Sequence, residues 1–260
     1  MRIELLGAAT IGTAEERGPI RAKKVRAMLV LLALNAGIAV SYQDMVDELW
    51  GDSPLSNARN ALQANATRLR RLLEPFAGEP GRSAVLVTAG AGYLLDIPRN
   101  AVDANLFLEL TDHGTTQIRR DQPEQAVETL NRALRLWRGP ALTDAVDGPR
   151  ARAAAERLEE RRLTALEDLL EARLALGHER QVVAELRWLL SQYPARERLS
   201  EHLMLALYRC GRQTEAVAVF HQVRAHLADE FGLTPSPSLQ RRYQEILVQE
   251  PTLGDPSSSG

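Results

Sequence analysis

Apolar and polar residues alternate over residues 2–6, the period of a half-buried strand, and Gly7, Gly12 and Gly18-Pro19 cut the next stretch into short segments. A small antiparallel sheet is expected there. The period then lengthens. Over residues 23–35, Val25, Leu29 and Leu32 recur at helical spacing, with Gly37 as the stop. Ser41 is placed to cap a second helix whose apolar side carries Met45, Val46, Leu49 and Trp50, and Gly51-Asp52-Ser53-Pro54 breaks it. A third helix is predicted over residues 56–74, where Ala58, Leu62, Ala66, Leu69 and Leu73 fall within one arc. Residues 84–88 and 93–97 read as strands, joined through Ala89-Gly90-Ala91-Gly92 as a hairpin tip. The order is sheet, three helices, hairpin. That is a winged helix, a helix-turn-helix variant in which the second motif helix enters the major groove and the hairpin is the wing.

Pro98 closes this part, and from Val102 onward the pattern is helical. Leu106, Phe107 and Leu110 mark one helix; Ala126, Leu130, Leu134 and Trp137 mark another. Arg138-Gly139-Pro140 stops it, and a loop leads to a long helix over about residues 151–176. Gly177 and Gly211 are 34 positions apart. At the same offset Leu169 matches Leu203, Ala172 matches Ala206, Val182 matches Ala216 and Leu186 matches Phe220. Helix, glycine turn, helix at that period is the tetratricopeptide (TPR) pattern. A degenerate earlier unit is expected over 103–137, and a helix over about 238–248 closes the array. The expected fold is mainly α: an N-terminal winged helix over 1–98, an all-α TPR-like domain over 99–250, and a disordered tail over 251–260.

The third helix carries the candidate chemistry. Opposite its apolar arc lie Asn60, Gln63, Ala64, Thr67, Arg70 and Arg71, with Arg59 on the flank. Amides and guanidinium groups read base edges and grip phosphate. Gln63 and Asn60 are the first choices for base edges, Thr67 for a thymine methyl, and Arg70, Arg71 and Arg59 for phosphate. Arg68 points sideways and reads as an ion-pair partner. Lys23, Lys24 and Arg26 open the first helix, where the dipole disfavours cations, and are candidates for gripping the DNA backbone. Thr88, Ala89, Gly90 and Ala91 form the wing tip, small enough for close approach to the minor groove. Taken singly, each of these residues also fits a plain solvated side chain; the face as a whole carries the reading.

Charge changes the picture little. The net charge is −2, with 12 lysines and arginines against 10 acids in residues 1–100, a faint basic lean at the front. With one cysteine, Cys210, no intrachain disulfide is possible. No signal-peptide pattern or membrane-length apolar run occurs, so a cytoplasmic protein without a membrane partner is expected. No phosphate-binding loop, nucleophile elbow, paired Cys-x-x-Cys or His-Glu-x-x-His is present; neither an enzyme nor a cofactor or metal is expected. Trp50, Trp137, Trp188 and Phe220 read as core residues.

Several separated motifs resemble one family. Leu49-Trp50-Gly51-Asp52-Ser53-Pro54, then Ala58, Leu62-Gln63 and Arg68-Leu69-Arg70, are similar to the core signature of SARP regulators (Streptomyces antibiotic regulatory proteins). Gly92-Tyr93 with Leu94-Leu95 resembles the end of their wing. Asp103, Phe107 and Trp137-Arg138-Gly139-Pro140-Ala141-Leu142 resemble their bacterial transcriptional activation domain, and the 229–237 region its end. Asn65 and Ala64 depart from the histidine and valine that relatives often carry. The resemblance implies an OmpR-type winged helix fused to a TPR-like activation domain. It implies a side-by-side dimer on direct repeats near the −35 element of secondary-metabolite (antibiotic) promoters, and recruitment of RNA polymerase holoenzyme through its sigma factor. The alternative is a TPR-type protein-interaction scaffold with an accessory nucleic-acid-binding domain.

Overall fold

The computed structural model describes residues 1–13, 17–51, 57–76 and 85–254. Two compact units emerge, one made of Met1–Asp112 with Arg132–Leu163, the other of His113–Asn131 with Thr164–Gly260. This division differs from a cut at Pro98: residues 99–112 and 132–163 pack with the winged-helix elements.

In the first unit, β1 (Arg2–Glu4), β2 (Thr10–Gly12) and β3 (Arg17–Pro19) form an antiparallel sheet in that order, with Ile3 opposite Ile11 and Ile11 opposite Gly18. Three helices come next: α1 (Lys23–Leu34), α2 (Tyr42–Trp50) and α3 (Ala58–Leu73). The Ser41 hydroxyl caps α2 by accepting from the Asp44 amide. A second sheet, ordered β4-β6-β5, joins β4 (Val40–Ser41) to the hairpin of β5 (Leu86–Ala89) and β6 (Gly92–Leu95). The expected winged helix is present, with β4 as a short third strand that periodicity did not reveal. Its core takes Met28, Leu29, Leu32, Met45, Leu62 and Leu69, all buried, as the helical spacing dictates. Val46 and Trp50 are only half-buried, and Glu48 instead lies on the inner side of α2.

The segment after Pro98 is tied to the N-terminal sheet by backbone pairing. Val102 bridges Ile3, the Arg138 amide donates to Leu6 O at 2.8 Å, and the Leu142 amide donates to Leu5 O at 2.9 Å. Asp103 opens α4 (Asp103–Arg119) and accepts from the Leu5 and Leu6 amides at 2.6 and 3.1 Å, with the Arg138 guanidinium 3.5 Å away. Burial pushes its carboxyl up to about 6, against the pull of those amides and of Arg138. Trp137 meets Phe107 edge-on at 5.2 Å.

α5 (Pro123–Leu134) and α6 (Pro149–Ala175), like α4, each contribute to both units. In the second unit the repeat extends to its hydrogen bonds. The His178 amide donates to Arg173 O and the Gly177 amide to Leu174 O; 34 positions on, the Arg212 amide donates to Leu207 O and the Gly211 amide to Tyr208 O. Both glycines have φ +74°, the left-handed conformation that ends a helix. The helices so joined are the end of α6 to α7 (Glu179–Gln192), and α8 (Glu197–Arg209) to α9 (Gln213–Phe231). Leu169, Leu203, Val182 and Ala216 are buried at equivalent positions. Ser236 caps α10 (Pro237–Leu247) through the Leu239 amide. Trp188, expected in the core, is 62% exposed on α7.

The tail is not structureless throughout. Residues Pro251–Leu253 form a 3-10 turn, Leu253 is buried, and its carbonyl accepts from Arg209 Nε at 2.8 Å. Residues 255–260 lie outside the described residues. Among the described residues no helix is long and apolar enough to cross a membrane.

Candidate nucleic-acid interface

α3 sorts its side chains by angle. Leu62, Asn65, Ala66, Leu69 and Leu73 are buried; Arg59, Asn60, Gln63, Ala64, Thr67, Arg68 and Arg71 are exposed. Asn65, at the edge of the apolar arc, turns inward and satisfies itself by donating from Nδ2 to Ala61 O at 3.0 Å. The Thr67 hydroxyl donates to Gln63 O at 3.0 Å, which leaves its methyl and the acceptor side of its oxygen available. The side chains of Asn60, Gln63 and Arg71 make no hydrogen bond or ion pair with another described residue, nor does that of Arg68, whose expected ion pair is absent among the described residues. Among the described residues, the outer face therefore presents the amides of Asn60 and Gln63 and the guanidinium groups of Arg68 and Arg71 without partners.

Arg70 has a different assignment. Its Nε donates to Leu86 O at 3.1 Å, its Nη2 to Thr88 Oγ1 at 3.0 Å, and its guanidinium lies 5.6 Å from the centre of the Tyr93 ring. It ties α3 to the wing rather than standing ready as a phosphate clamp. The angle held the clue: at about 100° per residue Arg70 lies only some 40° from the apolar arc, nearer the neighbouring sheet than Thr67 or Arg71. Substituting Arg70 by glutamine is expected to leave the global transition nearly unchanged while the wing amides exchange about tenfold faster, since roughly 1–2 kcal/mol of local closure is lost. Hydrogen exchange at Leu86 to Leu95 measures this.

The basic start of α1 also differs from its reading. Lys23 pairs with Asp147 at 2.9 Å; Arg26 donates from Nη1 to Ile20 O at 2.8 Å and its Nε is 3.5 Å from Asp144. Lys24 donates to Leu49 O and lies over the Trp50 ring. Leu49 is in the last turn of α2, whose dipole favours a cation. The misfit of cations at the α1 N-terminus is thus relieved by acids and a carbonyl end within the same unit. Lys23 remains the most exposed of the three.

The wing is a two-residue hairpin with Gly90 at φ +54° and Ala91 beside it, both exposed. Two features went unread in the sequence. Tyr42 and Tyr93 meet edge-on at 5.5 Å, and Arg59 sits 5.5 Å from the Tyr42 ring, so the tyrosines form a platform under the two flanking arginines. Burial, then the neighbouring Tyr42, push the Tyr93 hydroxyl up, so it stays neutral. Gly92, read only as part of a flexible tip, is buried where β6 passes β4, and a Cβ there would stand 1.9 Å from Val40 O. Neither feature has a local signature, because each depends on a strand pairing across some 50 residues.

The winged helix and the helical repeats have counterparts in known proteins. Residues 102–247 match the model of the bacterial transcriptional activator domain, and residues 20–95 match that of the transcriptional regulatory protein C-terminal domain. Transcriptional regulator RedD of Streptomyces coelicolor is 48% identical over 258 residues, covering 99% of this chain and 73% of RedD. The chain belongs to the SARP family. Regulatory protein DnrI of Streptomyces peucetius is 36% identical to this SARP, covering 88% of it and 86% of DnrI. A solved structure of Mycobacterium tuberculosis EmbR in complex with a low-affinity phosphopeptide superposes with a TM-score of 0.91 at 33% identity, over 96% of this chain and 65% of that one. The SARP thus shares the two-domain fold of a transcriptional regulator, and it spans just under two thirds of the EmbR chain.

Proposed function

We propose that this SARP is a sequence-specific, double-stranded-DNA-binding transcriptional activator. Residues 1–98 form its DNA-binding domain and 99–250 its activation domain. α3 enters the major groove with Gln63 and Asn60 toward base edges, Ala64 and Thr67 toward thymine methyls, and Arg71 and Arg59 on phosphate. The wing tip Thr88–Ala91 follows the adjacent minor groove, held in place by Arg70. The protein binds direct repeats near the −35 element of promoters of a secondary-metabolite gene cluster as a side-by-side dimer, and recruits RNA polymerase holoenzyme through its sigma factor.

The observation that carries this reading is the row of exposed amides and guanidinium on α3 with no partner among the described residues. A gel shift on promoter DNA with direct repeats one helical turn apart tests it; binding that ignores scrambling of the repeats would refute sequence recognition. Transcription with purified polymerase then separates activation from repression. Gln63→Ala is expected to lose about 1–3 kcal/mol of discrimination at one base pair while retaining affinity for mismatched sites, read by competition with single-substitution operators. Arg71→Ala is expected to weaken binding to all sequences alike and to lower the slope of log K against log salt by about one.

A further inference from the structure

α7 and α9 are the second helices of successive repeats, and a trough of ≈ 590 Å³ runs between them. Leu203 and Val223 lie at its floor; Leu190, Pro194, Ala218 and Val219 line its walls. The floor residues are buried and Pro194 and Ala218 are exposed, so the apolar lining continues out to the surface. Glu215, Ala218, Val219, Gln222 and His226 all line the trough, which makes them one side of α9 at helical spacing. Asp229 continues that row, about 21 Å along the helix from Glu215.

The two ends of this row differ in charge. At the first, Glu215 is shared by two guanidinium groups, Arg187 at 2.6 Å and Arg212 at 2.7 Å, which leaves a positive excess. At the other, the last turn of α9 carries Asp229 and Glu230 and no cation. Both acids are exposed, and their side chains make no hydrogen bond or ion pair with another described residue. Arg224, close in sequence, falls on the opposite side of α9. The helix dipole disfavours acids at this end. Phe231 stands beside them, 57% exposed and edge-on to His226 of the wall at 5.9 Å, and Leu233 is 58% exposed. Acids at the negative end of a dipole, next to uncovered apolar side chains, destabilise the free chain, and nothing within α9 offsets them.

We propose that this trough docks an amphipathic helix of a partner protein, with acids at the end over Arg187 and Arg212 and lysine or arginine at the end over Asp229, Glu230 and Phe231. The spacing of the two charged ends fits a helix of about 14 residues. Its aliphatic anchors, at i, i+3, i+4 and i+7, fill the apolar floor, and two neighbouring helices with a furrow between them accept a third by ridge-into-groove packing. A cation at the far end meets two carboxylates and the face of an exposed ring. The same carboxylates repel nucleic acid, whose affinity comes from its phosphates. A second copy is disfavoured by shape, because two troughs set face to face leave each other empty. The surface uses no residue of the winged helix and stands apart from the DNA-binding reading.

The probe is a fluorescent, end-capped peptide, Glu-Glu-Gln-Leu-Ala-Gln-Leu-Leu-Gln-Ala-Leu-Gln-Lys-Lys, titrated with the full chain and read by anisotropy at low salt. Saturable one-to-one binding is expected, and none of the same peptide with its leucines changed to glutamine. Asp229→Lys combined with Glu230→Lys should weaken the probe about tenfold or more. The same double variant should melt no lower than the unaltered chain, because cations suit that helix end; a merely structural role for the two acids would not separate binding from stability in this way. A peptide ending in Glu-Glu instead of Lys-Lys should bind the double variant more tightly than it binds the unaltered chain. Val219→Arg, at the wall, should abolish probe binding without changing the sedimentation of the full chain. No binding of the probe, equal binding of the glutamine peptide, full affinity in the double variant, or a Glu-Glu peptide that does not distinguish the two chains would each overturn the proposal. So would a dimer that Val219→Arg dissociates, since a second copy would then occupy the trough.

Discussion

Replacing Gly92 by alanine is expected to destabilise the winged-helix part by about 3–5 kcal/mol and to detach the wing. The reason is contact, not conformational freedom. A Cβ at Gly92 would lie 1.9 Å from Val40 O, 2.8 Å from Val40 C and 3.0 Å from Ser41 Cα, all backbone atoms that cannot step aside. β4 pairs with β6 there, Val40 opposite Tyr93 and Ser41 opposite Gly92, and the Tyr42 amide donates to Ala91 O at 2.8 Å. Making room for one methyl breaks these bonds together and carries Tyr93 away from Arg70 and Tyr42. The neighbouring Gly90 is the control. It has positive φ and nothing within 4 Å of its virtual Cβ, so Gly90→Ala should cost only about 1 kcal/mol of backbone strain. Urea denaturation of both variants measures the difference; equal costs would show that the β4–β6 approach does not hold the wing.

The second large effect is expected at Glu48. Its side chain is 4% exposed, and its two oxygens accept from the Arg150 and Ala151 amides at 2.8 and 2.9 Å. These are first-turn donors of α6, which have no partner within their own helix, and Pro149 ahead of them has no N–H to satisfy. Glu48 thus caps, from α2, a helix that begins about 100 residues later. Gly148 leaves it room: a Cβ there would stand 2.1 Å from Glu48 Oε1 and 2.6 Å from Glu48 O. Arg150 adds an ion pair with Asp44 one turn back on α2. Glu48→Ala strands two amides and opens a cavity, so a loss of about 3–4 kcal/mol is expected, and Glu48→Gln, which keeps one acceptor, should lose about half of that. Denaturant midpoints give the total. Hydrogen exchange at Arg150 and Ala151 should rise in Glu48→Ala before exchange does in the core of α1; protection retained at those two amides would show that the cap is not holding them.

Both effects arise where the sequence gives least warning. The turn glycines of the helical repeats were legible because their role is local: each ends a helix, the same apolar positions flank it, and spacing alone aligns the two copies. Gly92 and Gly148 are set by what crosses in front of them, and that depends on the pairing of distant segments. Asp103 stands out in the sequence only as a family motif; its work of collecting the Leu5 and Leu6 amides exists only once β1 and α4 meet.

Local geometry could be read from the residues alone: the helical period of residues 58–73, the face that carries Asn60, Gln63 and Arg71, the hairpin, and the 34-residue repeat. These come from side-chain hydrophobicity set against a fixed angular step, which needs no knowledge of the rest of the chain. Which cations remained free was settled by packing. Lys23, Lys24, Arg26 and Arg70 look alike in sequence to Arg71, yet Asp147, the Leu49 carbonyl, Asp144 and the wing strand claim the first four. A long flexible cation takes whichever acceptor packing brings within about 3 Å, and for a folded chain those acceptors come from far along the sequence.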